Sequence, residues 1–209
     1  MRTFPKHRAM TVLVAGMLAM ACAAASAKVM SSKDVMNWYG GPAYLGKPAL
    51  ALTAAFVHAG GGPGHFSIQK ALVAMLGVKA VNGEVAKLTR QYGKVRVTEF
   101  LDGMNFAVSD GLKRATAAGV KLPPPPRNLR GAALAKALIR AGTAPDGTFW
   151  AGELFDHLLS HAIHDQVMLD ADKVRSEAFD QNLHRLTNQS MFDIAHALGM
   201  KSVRLASLH

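Results

Sequence analysis

A single cysteine, Cys22, is the scarcest of the reactive residues in these 209. One thiol excludes an intramolecular disulfide framework, a Cys-rich zinc site and a Cys-x-x-Cys-His haem attachment. Familiar catalytic signatures are missing as well. There is no His-Glu-x-x-His, and Ser160 stands in no Gly-x-Ser-x-Gly context. The glycine-rich run Gly60-Gly61-Gly62-Pro63-Gly64 lacks the Lys-Ser/Thr of a phosphate loop, and no strand precedes it. No stretch alternates polar and apolar residues at any length, which removes the main signal for a sheet. Acidic residues are few, 14 against 24 Lys and Arg, so the formal net charge is +10.

Some of that basic charge sits in a leader. Arg2, Lys6 and Arg8 precede an apolar run from Met10 to Ala25, and Ala25-Ser26-Ala27 matches an A-x-A cleavage site. Residues 1–27 are therefore expected to be a signal peptide, with the mature chain starting at Lys28 in the periplasm or outside the cell. Removal leaves 21 basic against 14 acidic residues, a formal charge of +7. Two other readings compete. A membrane anchor needs roughly 20 apolar residues, and this run is shorter. A lipoprotein anchored through Cys22 needs a better box than Ala19-Met20-Ala21. If cleavage occurs, Cys22 leaves with the leader, no transmembrane segment remains, and stability rests on the core alone.

The remaining chain is read as one helical domain, 28–209. Pro48 opens an apolar segment that Gly60 closes, the usual Pro-first, Gly-last asymmetry, and its near-uniform apolarity predicts a buried helix. Ser67 is a good N-cap for the helix from Ile68, which Gly77 ends. Asn82 is expected to cap the next helix, ended by Gly93, and Thr98 to begin a longer one closed by Gly119. Phe100, Met104, Val108, Leu112 and Ala115 recur there every three to four residues, the mark of a core face. Pro123–Pro126 is a stiff hinge. A basic amphipathic helix is expected from Leu129 to Ala141, and a last helix from Glu177 to Leu198 turns Phe179, Leu183, Leu186 and Ile194 inward. The tail after Gly199 is read as irregular. The sum is an all-α bundle of about seven helices.

Between those last two helices lies the stretch that looks most like chemistry, Phe149 to Lys173. Read as one continuous helix capped by Thr148, it puts Leu154, Phe155, Leu158, Leu159, Ala162 and Ile163 on one face. Glu153, His157, Ser160, His161 and His164 gather on the other. Side chains three and four apart are neighbours on a helix, and neutral imidazole is the commonest metal ligand. The expected metal ligands are His157, His161, His164 and Glu153, and the expected cofactor is a divalent metal ion or haem. The plain alternative is a solvated polar face. His184 and His196, on the last helix, could approach the stripe across a short connection. His58 and His65, flanking the glycine run, read as helix-end residues or as axial ligands.

Tyr44-Leu45-Gly46-Lys47-Pro48-Ala49-Leu50, followed by Phe56-Val57, resembles the opening of group 1 truncated globins. The resemblance covers residues 44–57 and implies a globin-like helical sandwich with a haem pocket. The family's Lys-x-x-His proximal setting and its double-Phe segment are not found, so no haem ligand is carried over. As a whole the chain also resembles small exported helical proteins of proteobacteria, which implies nothing about function.

Three functions follow, in order. The first is a non-enzymatic module that binds metal or haem through the histidine stripe. The second is a structural or interaction protein whose basic helices meet an acidic protein or a membrane surface, with binding that weakens in salt. The third is an enzyme using a histidine with Glu153, Asp156 or Asp165 as acid and base. Nucleic acid is not an expected partner, because no Arg/Lys cluster interleaves with aromatics.

Overall fold

The computed structural model describes residues 47–174 and 179–205. Side chains at 47–49, 161 and 172–181 lie outside that description, as do the expected signal peptide, the segment up to Gly46 and the last four residues. The described chain is all-α. Its helices are α1 (Lys47–Ala59), α2 (Ile68–Leu76), α3 (Val78–Tyr92), α4 (Lys94–Ala117), α5 (Gly131–Ala141), α6 (Ala151–Leu159), α7 (His161–Val174) and α8 (Phe179–Ala197). Two strands of two residues, β1 (Thr148–Phe149) and β2 (Arg204–Leu205), pair in parallel. No described helix is long and apolar enough to cross a membrane.

α4 carries the core face that its periodicity predicts. Phe100, Met104, Ala107, Val108 and Leu112 are all buried, and α4 packs on α7, α8, α3, α2 and α6. The apolar α1 is buried as expected, with Leu52, Ala55, Phe56 and Val57 in the same core as Leu134, Phe155, Val167 and Leu186. That core takes residues from both sides of the proline run.

Helix boundaries differ from expectation where glycines act as pivots. Gly77 (φ 82°, ψ 155°) ends α2 and α3 starts at the next residue, so Asn82 lies inside α3 and is not its cap. Gly93 (φ 86°, ψ 153°) does the same between α3 and α4, which begins at Lys94 rather than Thr98. Only glycine enters this backbone region cheaply. Ser67 caps α2 as predicted, its Oγ accepting from the Lys70 amide. Thr148 is not a helix cap but part of β1. Trp150 occupies the N-cap position of α6, and the first orphan amide, Ala151 N–H, donates to buried Asn188 Oδ1 of α8 at 2.7 Å. The tail is not loose up to Leu205: Val203 is buried, and the Arg204 amide donates to the Gly147 carbonyl at 2.8 Å.

Candidate functional site

The histidine stretch is not one helix. It breaks at Ser160, with α6 ending at Leu159 and α7 starting at His161. Ser160 has φ 76° and ψ 149°, the conformation of Gly77 and Gly93, and among the described residues no other non-glycine has a positive φ. This region is strained for a residue with a Cβ, at about 1–3 kcal/mol. Tertiary contacts hold it there. The Thr53 hydroxyl of α1 donates to the Leu158 carbonyl at 2.9 Å, satisfying an acceptor at the end of α6. Leu159 sits against Gly111 of α4, where a Cβ would lie 2.6 Å from a Leu159 methyl.

The break creates the site. On a continuous helix residues 156 and 164 are about 12 Å apart along the axis, too far for a bond between short side chains. Here His164 Nδ1–H donates to Asp156 Oδ1 at 2.9 Å. In the neutral imidazole that bond places the proton on Nδ1 and leaves the lone pair on Nε2. His164 is 7 % exposed, and its Nε2 is buried without a hydrogen-bond partner. The Ser160 hydroxyl is buried and unpartnered in the same way. A buried polar atom left so costs about 1–3 kcal/mol, which makes each one a feature to account for.

Two rings enclose His164. Phe155 of α6 lies 5.2 Å away between centroids, and His184 of α8 lies 5.5 Å away at a 47° tilt. Phe155 meets His184 edge-on at 5.8 Å. The approach of His184 that the sequence permits is therefore realised. His196 goes elsewhere: it stacks on Phe192 and its ring N–H donates to the Val203 carbonyl at 3.1 Å.

The unbroken helix on which the expected stripe was drawn is not found, since the chain breaks at Ser160. Glu153 and His157 are exposed on α6, and His157 Nδ1–H donates to the Glu153 carbonyl at 2.8 Å. His164 instead turns into the core from α7, and the His161 side chain is outside the described residues. Among the described residues no three His, Cys, Asp or Glu side chains form a metal-holding group. His58 and His65 are both exposed. Sequence reasoning missed Asp156 as the partner of His164 and Phe155 as part of the site, and it placed Ser160 on the polar face without reading the helix break there.

Ser160→Gly should be about 1 kcal/mol more stable than Ser160→Ala, since both remove the unpartnered hydroxyl and only glycine also relieves the strain, at some cost in unfolded-state entropy. Urea unfolding of both variants is the check, and a Gly variant no more stable than the Ala variant would mean the backbone is not strained there.

Comparison with protein-family models, characterised proteins and solved structures finds no significant match to this chain.

Proposed function

We propose that the chain is an exported, non-enzymatic helical protein that binds a divalent transition-metal ion through imidazole. His164 Nε2 is the principal ligand and His184 the second. The observation that carries the reading is the buried, unpartnered Nε2 of a histidine whose other nitrogen is held by a carboxylate. Metal-binding histidines almost always donate their second N–H in this way, which orients the ring and raises its basicity. Asp156 is thus a positioning residue. Water or a further group completes the coordination of a two-histidine site. An ion suits this site better than a haem does, because rings at 5.2 and 5.5 Å leave His164 no room for a macrocycle without repacking. Export rests on the leader-like residues 1–27.

The test is calorimetric titration of metal-free protein, starting at Lys28 and carrying no histidine tag, with cobalt(II) and zinc(II). One ion per chain is expected, with binding lost in His164→Ala and weakened about 10–100-fold in Asp156→Asn. His157→Ala and His65→Ala serve as exposed-histidine controls and should bind normally. Circular dichroism separates lost binding from lost folding. Unchanged affinity in a folded His164→Ala variant sinks the proposal.

A further inference from the structure

A second, separate site lies on the face of α1 turned away from Thr53. A cavity of about 350 Å³ opens there between α1, α2, the proline run and the start of α5. Its size falls within the range of small-molecule pockets, about 300–1,000 Å³. Small side chains make the space: Ala55 and Ala59 of α1 and Ala74 of α2 all line it. At 100° per residue Ala55, His58 and Ala59 share one face of α1, so the helix presents two small residues and one imidazole together.

The opposite wall is stiff. Pro125 and Pro126 line the cavity, and the Leu129 amide donates to the Pro126 carbonyl at 3.2 Å. Proline rings fix φ, so this wall is arranged before any ligand arrives and little ordering entropy is lost on binding. Leu129 and Leu134 add apolar surface.

The polar side chains of the lining are basic in type. Arg130 and His58 border the cavity, and none of its lining residues is acidic. Arg130 directly precedes α5, a helix with no acidic residue in its first turn. A planar guanidinium matches a carboxylate with two parallel hydrogen bonds, which a point charge does not. The imidazole of His58 supplies a further donor. The remaining alanine, leucine and proline surface suits a hydrocarbon body rather than a fully hydrated ion.

The geometry points to this cavity as a binding site for a small carboxylate with an apolar body. Arg130 holds the carboxylate and the alanine-lined floor holds the body. The site is independent of the proposed metal site, because none of Asp156, His164 and His184 borders it.

Calorimetric titration with octanoate and, separately, octanol tests it. Octanoate should saturate one site per chain, and octanol should bind at least tenfold more weakly. Arg130→Gln should weaken octanoate at least tenfold while leaving the melting temperature unchanged, since Arg130 is exposed. Ala74→Phe fills the cavity from an exposed position and should abolish octanoate binding in a folded protein. The inference is overturned if octanoate shows no saturable binding, if octanol binds as tightly, or if both variants bind octanoate like the parent chain.

Discussion

Truncating Phe155 to alanine should cost about 3–5 kcal/mol, the range for deleting a fully buried aromatic ring. Phe155 is 0 % exposed and belongs to the common core. Its ring also forms the wall shared by His164 and His184. The loss therefore has two parts: transfer of the ring to water in the unfolded chain, and a cavity that stiffly packed neighbours only partly close. Phe155→Leu keeps most of the apolar volume and should cost markedly less. Urea unfolding at a constant denaturant slope gives the number. Ring protons of His164 should shift in both variants, because the neighbouring aromatic current is gone. A loss below about 1 kcal/mol for the alanine variant would contradict the packing described, since surface changes fall in that range.

What the sequence makes legible follows from how local the causes are. The inward face of α4 can be read directly, because Phe100, Met104, Val108 and Leu112 repeat with the helix period and are all buried. The burial of α1 follows from its uniform apolarity. The break at Ser160 is different. Neither glycine nor proline marks it, and the contacts that hold it come from distant helices, Thr53 on α1 and Gly111 on α4. One local trace exists. On a continuous helix Val167, Met168 and Ala171 fall about 220–320° round from Leu154, off the stripe begun by Leu154 and Phe155. That phase slip was the available sign that two helices, not one, share the segment. The pairing of Asp156 with His164 depends wholly on the break, so it was invisible to any reading that kept the helix intact. The capping of α6 by Asn188 is equally non-local, as is that of α2 by Asn105, whose Oδ1 accepts from the Ile68 amide at 2.7 Å.

A second large effect should appear in the pH dependence of stability, through Glu84. This side chain of α3 is half-buried, and one of its carboxyl oxygens is buried without a hydrogen-bond partner. Burial, followed by the neighbouring charge of Asp193 on α8, pushes its pKa from 4.5 up to about 7, and the protonated form also donates a hydrogen bond to Asp193. Lys87 works in the opposite direction but is engaged by Asp193 at 2.6 Å. The α2 and α4 residues lining the same space, Leu72, Leu76, Val97, Phe100 and Leu101, carry no charge to offset the effect. Between pH 4.5 and about 7 the folded state thus binds more protons at this group than the unfolded state does. Stability from Glu84 falls as pH rises through that window, and the full loss is present above it. Discounted for solvent screening of a half-exposed group, the loss is about 1–2 kcal/mol. Glu84→Gln keeps a donor toward Asp193 and cannot ionise. Denaturant unfolding from pH 5 to 8.5 should show the two proteins close at the acid end and the glutamine variant more stable by that amount at pH 8. The two proteins differ at residue 84 alone, so the difference between the curves isolates the ionisation of Glu84. Parallel curves would mean that Glu84 is ionised in the folded protein throughout the range, and that the contact between α3 and α8 does not depend on its proton.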